Sequence, residues 1–195
     1  MFRTIKVIDE SVESLHEKSI EVSTPVSEED KRLLLTLFQY VVKSQNKEIS
    51  EQYNIRPGVG IAAPQIGVNK RMFAIHAFED DKELSLAIIN PVILSTNKEQ
   101  VYLNGGEGCL SVNRKTVGIT PRYSKITIQG LIFDFEKGVF TKKKMMLKDY
   151  FAIVFQHEFD HLDGILYTDK LMDEQEAIKK NILSLWEIIE NEDAN

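Results

Sequence analysis

The residues of this chain best placed to do chemistry are His157 and His161, which bracket Glu158 in the run Gln156-His157-Glu158-Phe159-Asp160-His161. On a helix, side chains four positions apart lie one turn apart on the same face. Two imidazoles so placed can hold one metal ion, with the carboxylate beside them free to move protons. Cys109 is the one cysteine, and it offers a third ligand. It sits in Gly105-Gly106-Glu107-Gly108-Cys109-Leu110-Ser111, a polar glycine-rich loop where a purely apolar role for a thiol makes little sense. Two His and one Cys leave a fourth coordination position for water, which is the pattern of a catalytic site. Water held there becomes a nucleophile near neutral pH. Glu158 can take its proton and pass it to a leaving group. Asp160 and Gln156 are candidates for orienting the ligands.

Ile153 and Val154 precede His157 by four and three residues and share its face. They place an apolar wall beside the metal, which suits a substrate with an apolar side chain near the reacting bond. Arg56 to Gly67 (RPGVGIAAPQIG) is rich in Gly, Pro and Ala, and makes neither a good helix nor a good strand. No Gly-Lys-Ser/Thr follows, so it is not a phosphate loop. Gln65 is the one long polar side chain at its heart, either solvated or a placed hydrogen-bond donor. His16 and His76 have no matching ligand neighbours in the sequence.

These residues need elements to carry them. The run Tyr150 to Phe155 is apolar on every side and predicts a buried helix, spanning 147–162 and stopped by Asp163-Gly164. Ser27-Glu28-Glu29-Asp30 opens a second helix over about 27–45, with Leu33, Leu34, Leu37, Phe38, Val41 and Val42 at helical spacing. Strands are expected at 71–76, 86–90 and 125–129, with 92–94 and 101–103 continuing the sheet and a hairpin around Glu136-Lys137. The tail, Asp173 to Glu190, reads as a helix with a stripe of Ile178, Ile182, Leu185, Trp186 and Ile189.

With 195 residues, 43% of them hydrophobic, the chain has room for one domain with a sizeable core. A net charge of −6 argues against a broad nucleic-acid-binding surface, and Lys142-Lys143-Lys144 reads as a solvated turn. One cysteine allows no internal disulfide, no apolar run is long enough for a bilayer, and the start carries no signal-peptide core. A soluble, cytoplasmic protein is expected.

Three motifs stand in order: Gly58-Val59-Gly60-Ile61-Ala62-Ala63-Pro64-Gln65, Glu107-Gly108-Cys109-Leu110-Ser111 and His157-Glu158-Phe159-Asp160-His161. Together they resemble the peptide deformylase family, over residues 54 to 168 or so, and Arg56-Pro57 resembles its Gram-positive type. The resemblance implies an α+β fold of small, mostly antiparallel sheets packed around a central metal-bearing helix, with an N-terminal and a C-terminal helix, as one domain over 1–195. It implies removal of the formyl group from the initiator formyl-methionine of nascent polypeptides, with release of formate. Cys109, His157 and His161 would hold Fe2+, with Zn2+, Ni2+ or Co2+ able to replace it. Glu158 would be the general acid/base, and the Gln65 side chain and Leu110 backbone N–H the oxyanion donors. Val59 and Gly60 would offer backbone groups to the peptide, and Ile153 and Val154 would line the methionine pocket. The implied partners are an N-formyl-Met peptide and, transiently, the ribosome, with no membrane and no specific nucleic acid.

The chain departs from the family in three places. Ser14-Leu15-His16-Glu17 stands where Pro-x-Leu-Arg is common, Tyr150 stands where glycine is common, and the terminal helix starts acidic rather than basic. Two other readings stay open on the residues alone. A zinc metallopeptidase would take its third ligand downstream, from Asp169, Asp173 or Glu174. A structural metal site would be closed by four ligands and would need neither Glu158 nor Gln65.

Overall fold

The computed structural model describes residues 5–186. Its main sheet has five antiparallel strands in the order β1-β2-β3-β6-β7: β1 (Gly60–Ala62), β2 (Met72–Glu79), β3 (Lys82–Thr96), β6 (Lys125–Asp134) and β7 (Val139–Lys148). A second sheet joins β4 (Gln100–Tyr102) to β5 (Arg122–Tyr123) antiparallel and to β8 (Leu183–Ser184) parallel. The helices are α1 (Glu28–Ser44), α2 (Lys47–Tyr53), α3 (Asp149–Leu162) and α4 (Glu174–Lys179). The fold is α+β, as expected.

Strand alternation explains how the main sheet holds two helices at once. Phe73, Ile75 and Ala77 of β2 and Leu84, Leu86 and Ile88 of β3 face α3, meeting Ala152, Val154, Phe155 and Leu162. Met72, Ala74, Ala87 and Ile89 face the other way, onto Leu34, Leu37 and Val41 of α1. With both faces covered, these strands read as continuous apolar runs. Phe155 is fully buried edge-to-face against Phe73, at 5.0 Å between ring centroids. Truncating it to Ala would cost about 3–5 kcal/mol.

The apolar girth of α3 follows from its place between two sheets. Its far side meets the small sheet, where Ile153 packs with Val101 and Leu185. Gln156 serves that same contact. Its amide accepts from Tyr123 N–H (3.0 Å) and donates to Tyr123 C=O (2.9 Å), extending β5 by one side chain. Gln156 therefore ties the helix to the sheet and does not orient a ligand.

Several boundaries differ from the sequence reading. The helix begins at Asp149, not 147, because Leu147 and Lys148 still pair with Ile126 and Lys125 of β6. Lys148 supplies no side-chain cap, and Glu79 from β2 takes that part by accepting Tyr150 N–H at 3.1 Å. The run at 101–103 does not continue the main sheet; β4 belongs to the small one. The glycine-rich stretch does form structure, a three-residue strand followed by one 3-10 turn at Ala63–Ile66. The helix expected over 173–190 is broken within the described residues. It stops at Lys179, Asn181 turns left-handed (φ 55°), and β8 follows. Ile189, part of its expected stripe, lies outside the described residues. α1, capped by Ser27, and the turn of the β6–β7 hairpin fall where expected, but Lys142, Lys143 and Lys144 form no turn: β7 runs on through them, paired with Leu131, Gly130 and Gln129. No helix among the described residues is long and apolar enough to cross a membrane.

Candidate active site

α3 and the loop after β4 bring Cys109, His157 and His161 together. Their ligand atoms all lie within 4.8 Å of one another, and no other such group occurs among the described residues. Cys109 Sγ lies 3.3 Å from His161 Nε2 and receives the Gln65 amide (3.3 Å) and the Ser111 N–H (3.4 Å). Asp169, Asp173 and Glu174 are engaged elsewhere: Asp169 accepts from Leu166 N–H, Asp173 caps α4 and Glu174 accepts from the Tyr102 hydroxyl. The third ligand of a metallopeptidase reading is therefore absent from the site, and Cys109 stands in its place.

Glu158 is 3% exposed, and its Oε2 has no hydrogen-bond partner in the described protein. Burial pushes its carboxyl up to about 7; Glu107 adds to this, while His157 and Arg122 oppose it. An unpartnered buried carboxylate beside one thiolate-type and two imidazole ligands fits a metal with an open position. Gly60 makes the space for it. A Cβ at Gly60 would collide with the Glu158 carboxylate.

Gln65 is fixed by its own turn. The Ala62 N–H donates to Gln65 Oε1 at 2.9 Å, and because an N–H can only donate, the Gln65 NH2 must face the sulfur. The residue is 1% exposed. Leu110 N–H has no acceptor among the described residues.

Behind the ligands runs a buried ionic relay that the sequence reading missed. His157 Nδ1 donates to Glu107 Oε2 at 2.7 Å. Arg122 grips both oxygens of Glu107 (2.7 and 2.9 Å) and also Asp160, which in turn meets Lys170 Nζ at 2.6 Å. Burial alone would raise the Glu107 carboxyl, but His157 and Arg122 outweigh it and hold it at about 2. Burial opposes a charge on both imidazoles. At His157, Cys109 and Glu107 overcome it and push the pKa well up, while His161, next to His157 and Arg122, is pushed well down. Asp160 thus reaches the ligand His157 only through Arg122 and Glu107, three contacts away. Glu107 could have been found as the one charged side chain within a glycine-rich motif. Arg122 and Lys170 gave no signal before β5 was placed beside α3.

A cleft of about 300 Å³ opens in front of these groups. Val59, Gly60, Gln65, Cys109, Leu110, Ile153, Val154, His157 and Glu158 all line it, as do Leu103 and Tyr150. His161 lies behind the lining, 1% exposed. β1 is an edge strand. The Val59 carbonyl is taken by His76 N–H at 2.8 Å. Gly60, one residue on, therefore turns its N–H and C=O to the uncovered edge. Beside Tyr150, Asp149 adopts φ 52°, so the position that would favour glycine is Asp149.

A family model described as polypeptide deformylase matches residues 3–177. The peptide deformylase of Halalkalibacterium halodurans is 42% identical over 177 residues, covering 90% of this chain and 94% of the relative. Peptide deformylase 2 of Bacillus cereus is 46% identical over 166 residues, 85% of this chain and 88% of the relative. Among solved structures, the peptide deformylase of Thermotoga maritima aligns with a TM-score of 0.65 at 27% identity, covering 87% of this chain and 99% of that one.

Proposed function

We propose a division of labour among the cleft residues from one premise: the chain belongs to the polypeptide deformylase family. It is a metal-dependent enzyme that removes the N-formyl group from nascent polypeptides. What carries the assignment is the meeting of Cys109, His157 and His161 beside the unpartnered Glu158 carboxylate.

Cys109, His157 and His161 would hold the metal, which when bound would supply a water acidic enough to act as a nucleophile near neutral pH. Glu158 would take the proton released as water attacks the formyl carbon and deliver it to the departing amine, leaving formate and a free amino terminus. The Gln65 NH2 and the Leu110 N–H receive the negative charge that grows on the formyl oxygen. Gly60 and the Val59 N–H offer backbone partners to the peptide, as an added strand would use them. Ile153 and Val154, with Tyr150, wall the methionine side chain.

Fe2+ is the metal that family membership favours, and one thiolate with two imidazoles would also accept Zn2+, Ni2+ or Co2+. Action on nascent formylated chains supports a cytoplasmic enzyme in transient contact with the ribosome.

The test is formate release from formyl-Met peptides by the metal-loaded protein. Glu158→Ala should lower kcat by about 10²–10⁴ with metal retained. Equal rates in the two proteins would remove Glu158 from its role. Anaerobic purification with metal analysis tests the iron, since a ferrous thiolate centre should lose activity in air.

A further inference from the structure

Arg56 stands at the mouth of the cleft, on the stretch leading into β1, and reaches across to the loop that carries Cys109. Its Nη2 donates to the Cys109 carbonyl (3.4 Å), and its Nη1 donates to the Leu110 carbonyl (3.3 Å) and to Asn113 Oδ1 (2.7 Å). Both ends of the residue are anchored. Asn113 is held by Asp9 (2.9 Å), and the Arg56 carbonyl accepts from the Tyr40 hydroxyl (3.2 Å). One side chain thus ties together the two lips of the cleft. Gly58 lets them meet, since a Cβ there would press on the Leu110 side chain at 3.0 Å.

The Cys109 carbonyl and the Leu110 N–H belong to one peptide unit. That unit is planar and trans, so its N–H points opposite to its C=O. Whatever grips the carbonyl therefore aims the N–H. Two donors do so: the Val112 N–H (3.2 Å), which closes a turn on the same oxygen, and the Arg56 guanidinium. Of the two, only the guanidinium is charged. A cation on the carbonyl oxygen polarises the amide and makes its N–H a stronger donor.

We propose that Arg56 is a positioning residue for the reaction: it aims and strengthens the Leu110 N–H without touching the formyl group. The proposal rests on the reading of that N–H as an oxyanion donor. Such a donor acts mainly when charge develops on the formyl oxygen, so its support is felt in the transition state more than in the bound substrate.

The experiment compares Arg56→Met and Arg56→Lys with wild type, all zinc-loaded, on a formyl-Met peptide. Losing a whole oxyanion donor costs about 10²–10³ in kcat, so losing its support should cost about tenfold, with KM within about twofold. Lysine should restore little, because an ammonium cannot span two carbonyls as a planar fork does. The backbone 15N–1H resonance of Leu110 should move in both variants, with zinc content unchanged. A raised KM at constant kcat would make Arg56 a peptide contact and overturn the proposal. So would kcat falling in step with zinc content, which would make Arg56 a support of Cys109 alone. An unmoved Leu110 resonance also overturns it. If that resonance moves while kcat and KM stay constant, it is the oxyanion role of Leu110 that fails.

Discussion

His157 donates its Nδ1–H to Glu107 across 2.7 Å, with the two side chains 11% and 4% exposed. A carboxylate only accepts, so Nδ1 carries the proton of this bond and Nε2 is the nitrogen left to bind a metal once its own proton is displaced. Arg122 fixes the Glu107 carboxylate from behind with two bonds. Glu107→Gln keeps the shape but loses the charge, and should lower metal affinity about 10–100-fold, as loss of such supporting partners typically does. Competition with a chelator measures it. Unchanged affinity would mean that the bond orients nothing.

Gly60 predicts a second effect in the same cleft. A methyl at this position would occupy the space of the Glu158 carboxylate and its Cγ. Gly60→Ala should therefore displace Glu158 and lower kcat by at least about tenfold, part of the range general acid/base work provides. Metal content should hold, since the ligands lie on other residues. A variant with wild-type kcat would show that the carboxylate can work from a shifted position.

The chemistry was legible in the sequence where it depends on spacing along one element. His157 and His161 are a helical turn apart, and Cys109 was conspicuous in its loop. Gln65 was visible only as a polar residue among small ones; its orientation needed the Ala62 N–H, which the 3-10 turn provides. Arg122 was not legible at all. Its partners Glu107 and Asp160 lie 15 and 38 residues away, and only the pairing of β4 with β5 brings the three together. The same holds for the break after Lys179. The apolar stripe predicted one helix, yet Leu183 and Ser184 pair with β4, and a strand partner distant in sequence outweighed helical periodicity.

Arg122 itself carries the third prediction. It is 2% exposed and holds two carboxylates, so Arg122→Met would leave Glu107 and Asp160 buried with one positive partner fewer. Breaking a buried pair costs about 3–5 kcal/mol, which for a chain of this size lowers Tm by roughly 6–20 °C. Lys170, 37% exposed at the outer end of the relay, should behave differently. Lys170→Met should cost less than about 1 kcal/mol. Thermal unfolding of both variants tests the gradient, and equal losses would contradict it.

The fourth prediction concerns pH and the scaffold that carries Gln65. Asp30, in the first turn of α1, accepts from Lys70 Nζ at 2.5 Å and from the Ser27 hydroxyl at 2.8 Å, while its own N–H is capped by Ser27. Lys70 follows the Gln65 turn, so the pair fastens α1 to the segment entering β2. Burial would raise the Asp30 carboxyl, but the bonds from Lys70 and Ser27 outweigh it and leave the pKa lowered. A carboxyl lowered on folding stabilises the protein in its ionised form. That contribution is complete above the unfolded value of about 4 and is lost as pH falls through the lower folded value. Asp30→Asn should therefore be about 1.5–3 kcal/mol less stable than wild type at pH 7, a gap set by charged hydrogen bonds. Below about pH 4 the gap should narrow, because wild type protonates and the variant has nothing there to lose. Urea midpoints at pH 7 and pH 3 measure both, and a gap that stays constant would show that the Asp30 carboxyl is not held ionised by these partners.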